Sequence, residues 1–117
     1  MAFKFEKLHV WHDSVELAGE IYDLTKKFPK SEIYSLTSQM NKAADSISLN
    51  IAEGSTGQTT NEFSRFLNYS IRSGIEVVGA LYLAKRKSFI NEEDFLKHYA
   101  ATEHLVIKVQ ALRNSLK

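Results

Sequence analysis

The sequence predicts an all-α protein, folded as an up-and-down antiparallel four-helix bundle. Four stretches carry apolar residues at alternating spacings of three and four, which gathers those residues on one face of a helix. Turn signals separate the stretches, and one proline and five glycines leave few other places for a helix to break. A chain of 117 residues with 44% hydrophobic content can bury one core. We therefore expect a single domain over residues 1–117.

The first helix is predicted from about His9 to Phe28. Its apolar residues fall on two adjacent lines, which are Leu8, Trp11, Val15, Ala18, Tyr22 and Thr25, and Leu17, Ile21, Leu24 and Phe28. Pro29 is expected to end the helix, because proline pushes the residue before it out of helical geometry.

The second helix is predicted from about Ser35 to Glu53, and Gly54 is expected to end it. A glycine just after the last apolar residue of a helix can adopt left-handed backbone without a steric penalty. The apolar stripe of this helix is Ile33, Leu36, Met40, Ala44, Ile47 and Ile51. A polar line about 90° away consists of Gln39, Ser46, Asn50 and Glu53. This polar line is either a recognition surface or a hydrogen-bonded seam against a neighbouring helix or subunit.

Side-chain caps predict where the last two helices begin. Thr59 and Glu62 form a capping-box pattern, so the third helix should run from about Thr60 to Lys87. Asn91 is expected to cap the fourth helix. The core line of the third helix is Phe63, Leu67, Ser70, Gly74, Val77 and Leu81. The fourth helix carries Phe95, Tyr99, Thr102, Val106 and Val109, flanked by Leu105, Leu112 and Leu116.

The third helix has more apolar surface than one core line needs. We name the additional residues the outer arc, which comprises Ile75, Val78, Gly79, Tyr82 and Leu83. They either contact two neighbouring helices of the same bundle or form an interface with another subunit. Gly79 lies on the far side of the helix from the core, where alanine would be preferred by about 1 kcal/mol. A close approach of another backbone would explain the glycine.

Arginines on the third helix recur at multiples of seven residues, so they drift slowly around it and form a basic stripe opposite the core. The basic stripe comprises Arg65, Arg72 and Arg86, with Lys85 and Lys87 at its end and Lys42 on the second helix as additional charge. Guanidinium groups at this spacing can bind successive phosphates. The alternative is a solvated face in which Glu76 pairs with Arg72.

Composition restricts the function classes. Fifteen Lys and Arg against fourteen Asp and Glu give a net charge of +1, so any nucleic-acid surface must come from local clustering. The absence of cysteine excludes disulfides and thiolate metal sites. The first residues lack a secretion signal, and no stretch has the roughly 18 apolar residues of a membrane span. We expect a cytoplasmic protein.

Metal chemistry is the first enzymatic possibility, because a di-metal bundle uses a Glu-x-x-His pattern on each of two helices. This chain has one such pattern, at Glu6 and His9, and neither His98 nor His104 has a glutamate three residues before it. His9 and His12 are expected to be a surface pair. No serine sits in a strand-turn-helix elbow, and no glycine-rich phosphate loop follows a strand. We therefore predict no catalytic residue, no metal site and no cofactor.

Four sequence blocks occur in the order and spacing of a known family. They are FEKLHVW at 5–11, KKFPKSE at 26–32, SQMNKAADSISLNIAEG with the following NEFSRFL at 38–67, and LAKR at 83–86. Together they resemble the small four-helix-bundle proteins encoded in intervening sequences of bacterial 23S rRNA genes. The resemblance covers almost the whole chain. It implies the same fold, no active site, and assembly into a ring-like homo-oligomer, commonly a pentamer.

The resemblance also implies partners. The family includes the accessory variability determinant of diversity-generating retroelements, a basic ring that binds nucleic acid and a reverse transcriptase. This chain has Asn41 and Lys42 where relatives often carry two arginines, and Gly57 and Gln58 where they carry basic residues. Two functions therefore stand. One is a non-enzymatic oligomer that binds RNA, DNA or a reverse-transcriptase-like protein, and the other is a structural or protein-binding oligomer without nucleic-acid binding.

Overall fold

A computed structural model, which describes residues 2–116, shows a bundle of four long helices and confirms the predicted all-α fold. Met1 and Lys117, the ends of the expected domain, lie outside this range. The long helices are α1 (His9–Thr25), α2 (Leu36–Ser55), α3 (Thr60–Arg86) and α4 (Glu92–Ser115). Short 3₁₀ helices at Lys4–Lys7 and Lys30–Glu32 precede α1 and α2. No helix in residues 2–116 is long and apolar enough to cross a membrane.

Successive helices pack against each other, and α4 returns to α1. The diagonal pairs, α1 with α3 and α2 with α4, make no close backbone contact in the described part of the chain. The bundle is 44 Å long and 22 Å wide in both other directions. It therefore has four edges, at α1/α2, α2/α3, α3/α4 and α4/α1, and the α1/α2 edge lies opposite the α3/α4 edge.

The core consists of the inward faces of all four helices. The largest fully buried apolar side chains are Ile21, Met40, Ile47, Ile51, Leu67, Val77, Leu81 and Val109. Every residue of the predicted core line of α3 is buried. Buried hydroxyls bond to backbone carbonyls, as where the Ser70 hydroxyl donates to the Ile47 carbonyl of α2 at 2.9 Å. This bond also ties the two helices together without leaving a buried polar group unpaired.

Helix α1 ends at Thr25, whereas the sequence predicted that it would end at Phe28. The amides of Lys26, Lys27 and Phe28 each bond to the carbonyl three residues earlier, so the chain tightens into a turn before Pro29. Of the two predicted apolar lines, Leu17, Ile21, Leu24 and Phe28 are all buried, whereas the other line is mixed, with Thr25 buried and Leu8, Trp11 and Ala18 packed against the core. Val15 and Tyr22, on the other line, are exposed.

Gly54 does not end α2, which continues through Ser55. No glycine among residues 2–116 has a positive φ angle, so the predicted left-handed cap is wrong. Gly54 is instead buried within the helix, against the Phe63 and Phe66 side chains of α3. Ile33 also departs from the predicted stripe, since it lies before α2 and is exposed.

The caps of α3 and α4 are confirmed. The Thr59 hydroxyl accepts a hydrogen bond from the Glu62 amide at 3.0 Å, and the Asn91 side-chain oxygen accepts one from the Asp94 amide at 2.7 Å. The turn between these helices holds a residue that the sequence did not indicate. Ser88 has a φ angle of 63°, and the Phe89 amide bonds back to the Ala84 carbonyl at 2.9 Å. This is the left-handed C-cap that usually contains glycine.

Candidate functional site

The three arginines of the basic stripe all lie on the exposed face of α3. Because a helix rises 1.5 Å per residue, Arg65 and Arg72 are separated by about 10 Å along the axis, and Arg72 and Arg86 by about 20 Å. Seven-residue spacing turns each position only slightly from the previous one. The stripe therefore runs along most of the length of the helix.

Charge pairing distinguishes the arginines from other basic residues. Among residues 2–116 the ion pairs are Lys26–Asp23, Lys27–Asp94, Lys85–Glu92 and Lys108–Asp13. None of them includes an arginine of the stripe. The alternative pairing of Glu76 with Arg72 is not formed, since the Glu76 carboxylate faces the Gln39 side-chain amide on α2 at 3.5 Å. The arginine charges of the stripe are therefore directed to solvent.

Lys85 differs from the other members of the stripe. Its amine lies 2.7 Å from the Glu92 carboxylate and 4.5 Å from the centre of the Phe95 ring, both on α4. This position pairs its charge with a carboxylate and directs its amine away from the arginines. Lys87 and Lys42 are exposed.

An aromatic pair adjoins the N-terminal arginine of the stripe. The Arg65 guanidinium lies 5.3 Å from the centre of the Phe66 ring, and the Tyr69 ring meets Phe66 edge-on at 5.5 Å. Tyr69 is partly exposed. Cation–π contact with Phe66 restricts where Arg65 can point, while Tyr69 offers a more exposed aromatic ring beside this pair.

The outer arc is largely uncovered in a single chain. Ile75 is 61% exposed and Tyr82 is 54% exposed, and Leu83 is also exposed. The Tyr82 ring contacts Phe95 of α4 edge-on at 4.9 Å. Contact with a neighbouring helix of the same bundle therefore explains one side of the Tyr82 ring. Most of the outer arc has no contact partner among residues 2–116.

Helix α4 continues this apolar surface, which the sequence reasoning missed. Leu96 and Ile107 are both more than half exposed. A groove of about 290 Å³ between α3 and α4 is lined by Ile75, Val78, Tyr99, Glu103, Val106, Ile107 and Gln110. The sequence did contain a sign of this surface. Ile107 is apolar although it lies outside the core line that Thr102, Val106 and Val109 form. We name this surface the α3/α4 face.

Gly79 connects the outer arc with the basic stripe. It is exposed, and no atom of the bundle lies within 4 Å of the position that a Cβ would occupy, so packing within the chain does not explain it. It also lies seven residues after Arg72 and seven before Arg86, which puts it between them on the same side of α3. Anything that covers Gly79 therefore contacts or adjoins two arginines of the stripe.

Two residues of the polar line of α2, Gln39 and Ser46, contact α3 within the bundle. The Ser73 hydroxyl of α3 donates to the Ser46 hydroxyl at 2.9 Å, and the Asn50 amide donates to the Ser46 carbonyl at 2.8 Å. Gln39 faces Glu76 across the same edge. These contacts favour the seam over the recognition surface for this line.

The residues considered for metal binding serve local structure. The Glu6 carboxylate accepts a hydrogen bond from the Phe3 amide at 2.9 Å, and the His12 ring lies 2.6 Å from the Glu6 carbonyl. His98 is buried, with its Nδ1 atom 2.7 Å from the Asp94 carbonyl. Residues 2–116 contain no group of three or more His, Cys, Asp or Glu side chains that could hold a metal ion.

Comparison with known families shows the family of this chain. The model of the 23S rRNA-intervening sequence protein family matches residues 6–111. The chain belongs to this family. A similar fold is seen in a crystal structure from Bacteroides thetaiotaomicron VPI-5482, described as a protein of unknown function from the S23 ribosomal protein family. That structure has a TM-score of 0.81 and 20% sequence identity, over 91% of this chain and 99% of the other, which establishes a shared fold. A comparison with curated proteins gives no match.

Proposed function

We propose that this family member is a non-enzymatic homo-oligomer that binds RNA through the arginines of the basic stripe. The observation that carries the proposal is the exposure of Arg65, Arg72 and Arg86 outside every ion pair among residues 2–116. An exposed guanidinium group offers paired donors that match the geometry of a phosphate. Lys85 is left out of the proposed contact because Glu92 pairs with it.

Oligomerisation would convert a weak site into a useful one. A single chain offers the three arginines of the stripe and a net charge of only +1, so one copy should bind RNA weakly. Several copies in one assembly would present several stripes to the same RNA, and each later contact would form at high effective concentration. The uncovered α3/α4 face supports self-association, and the family resemblance favours a pentamer.

A second candidate function is an oligomer that binds protein and no nucleic acid. The position of Gly79 between Arg72 and Arg86 favours it, because a subunit covering Gly79 would also cover part of the stripe. The arginines would then form ion pairs between subunits. A reverse-transcriptase-like protein is the partner that the family resemblance implies for such an oligomer.

RNA titrations distinguish the two functions. Fluorescence anisotropy with a labelled structured RNA and a labelled single strand would be measured for wild type and for Arg65→Glu/Arg72→Glu. The control is Lys7→Glu/Lys97→Glu, which produces the same change in net charge at exposed positions away from α3. We expect the arginine variant to lose at least tenfold in affinity and the control to change little. Equal losses in both variants, or no binding by wild type at low salt, would favour the protein-binding oligomer.

The non-enzymatic part of the proposal has a separate test. We expect elemental analysis of the purified protein to find no stoichiometric transition metal. A metal that withstands chelator, and whose removal unfolds the chain, would show that residues such as His9 and His12 ligate after all.

A further inference from the structure

Tyr69 lies between two arginines of the basic stripe on one side of α3. It follows Arg65 by four residues and precedes Arg72 by three, and side chains at these spacings are neighbours on a helix surface. Both arginines are exposed, and Tyr69 is 38% exposed. An aromatic ring therefore stands between two guanidinium groups that are separated by about 10 Å along the helix axis.

Contacts within the bundle hold this ring and the first arginine in place. The Phe66 ring meets the Tyr69 ring at an interplanar angle of 82°, with 5.5 Å between the ring centres, and the Arg65 guanidinium lies 5.3 Å from the centre of the Phe66 ring. Phe66 in turn packs against Gly54 of α2. Side chains that are already restricted lose less conformational entropy when they bind a ligand. The arrangement suits a ligand that combines an aromatic group with negative charge.

Arg113 of α4 adds a positive charge beside this ring, which the sequence reasoning did not include. Its Nη1 atom donates to the side-chain oxygen of Asn68 on α3 at 2.9 Å, and its Nε and Nη2 atoms donate to Asn114 Oδ1 at 3.2 and 3.1 Å. Three of its five N–H groups are thus used, and two remain for a phosphate. Both partners are neutral amides, and Arg113 belongs to none of the ion pairs found among residues 2–116. The bonds therefore fix the guanidinium against α3 without pairing its charge.

The helix segments that carry these side chains contain no carboxylates. Neither residues 63–75 of α3 nor residues 104–116 of α4 include an Asp or Glu. The hydrogen bond from Arg113 to Asn68 shows that the two segments lie side by side. The net charge of +1 is therefore unevenly distributed along the chain, and this part of the surface is basic. We name it the Arg–Tyr cluster, which comprises Arg65, Asn68, Tyr69, Arg72 and Arg113.

We propose that the Arg–Tyr cluster binds an unpaired nucleotide of a single-stranded RNA, with the base stacked on Tyr69 and the neighbouring phosphates on the arginines of the cluster. Bases within a duplex are covered on both faces by their neighbours, so only an unpaired base offers a face to the ring. Each guanidinium group supplies the paired donors that a phosphate accepts. This inference rests on the proposed RNA binding through the basic stripe, and it adds the class of RNA, the stacking residue and a further arginine.

Three labelled probes with the same number of phosphates separate stacking from charge. They are an oligoadenylate strand, an abasic strand that has the sugar–phosphate chain without bases, and a fully paired RNA duplex. Fluorescence anisotropy at one fixed salt concentration would measure their affinities for the wild-type protein. We expect the oligoadenylate to bind at least about fivefold more tightly than the abasic strand, because stacking of one base on an aromatic side chain contributes that factor or more.

Variants of Tyr69 assign the difference to its ring. Tyr69→Ala should lower the affinity for the oligoadenylate at least about fivefold and leave the affinities for the abasic strand and the duplex unchanged. Tyr69→Phe retains the ring and should bind all three probes as the wild type does. Tyr34→Ala is the control, since Tyr34 is 93% exposed and precedes α2, at the other end of the bundle from the start of α3. Circular dichroism would check that each variant is folded.

The outcomes distinguish this inference from the proposed function. If the wild type binds the abasic strand as tightly as the oligoadenylate, or if Tyr69→Ala weakens all three probes equally, stacking is wrong although phosphate binding by the stripe stands. The first of these comparisons needs no variant, so it decides the question even if Tyr69→Ala unfolds. A wild type that binds none of the probes at low salt would overturn both proposals.

Arg113 has its own test in the salt dependence of oligoadenylate binding. Arg113→Gln should lower the slope of log affinity against log salt by about 0.7, because one phosphate contact with a single strand is lost. Lys108→Gln is the matched control on the same helix, since the Lys108 amine is already paired with the Asp13 carboxylate at 2.8 Å. Equal slopes for the two variants would show that Arg113 does not contact phosphate.

Discussion

A Cβ atom at Gly54 of α2 would lie 2.5 Å from the Cβ of Phe66 on α3. The contact involves the first side-chain atom of Phe66, which rotation about its side-chain bonds cannot move away. Helices α2 and α3 therefore approach each other through the absence of a side chain, next to the turn that joins them. This relationship, and not backbone conformation, explains the glycine.

Gly54→Ala should therefore destabilise the fold. Overpacking costs about 1–3 kcal/mol, which exceeds the roughly 1 kcal/mol that alanine contributes through helix propensity. Urea unfolding at fixed protein concentration would measure the net loss. Gly19→Ala, at an exposed position of α1 with no atom within 4 Å of the added Cβ, measures the propensity effect alone. An increase in stability for Gly54→Ala would show that α2 and α3 can separate at little cost.

Ser88→Gly should stabilise the protein. Ser88 has a φ angle of 63°, a conformation that costs an L-residue roughly 1 kcal/mol or more and that glycine adopts freely. Part of the gain is offset by the greater entropy of glycine in the unfolded chain, so we expect about 0.5–1 kcal/mol. Ser88→Ala retains the Cβ and should give no gain. If Ser88→Ala raised the free energy of unfolding as much as Ser88→Gly, the left-handed backbone of Ser88 would not be the cause of the stabilisation.

The salt dependence of RNA binding should distinguish Arg72 from Lys85, which the sequence grouped in one stripe. Each phosphate contact contributes about 0.7–0.9 to the slope of log affinity against log salt. Arg72→Gln should lower the slope by about that amount, whereas Lys85→Gln should leave it unchanged because Glu92 already pairs with Lys85 at 2.7 Å. Titrations at several salt concentrations measure both slopes. A lower slope for the Lys85 variant would show that Lys85 also contacts RNA phosphates.

Features that depend on a few neighbouring residues were predictable from the sequence. Thr59 and Asn91 cap their helices because a cap needs only an amide three residues further along the chain. Gly54 was misread because its role depends on Phe66, which belongs to another helix. Periodicity also could not distinguish Tyr22 from Leu24 as a core residue, since the positions of the neighbouring helices around α1 decide which of its apolar side chains are buried. Periodicity put Arg65, Arg72 and Arg86 on the exposed face of α3, where the structure also has them, but the pairing of Lys85 required the position of α4.

The second candidate function, the protein-binding oligomer, predicts opposite effects of Gly79→Ala on folding and on assembly, because a subunit that covers Gly79 also covers part of the basic stripe. In the separated chain, alanine meets no atom within 4 Å and should stabilise α3 by about 1 kcal/mol. In the assembly, the added methyl group would hold apart the surfaces that meet at Gly79 and weaken association. Urea unfolding of the dissociated chain measures the first effect, and sedimentation equilibrium over a range of concentrations measures the second. If alanine strengthens both, Gly79 lies outside the subunit contact, and Arg72 and Arg86 are then available to RNA along the whole stripe.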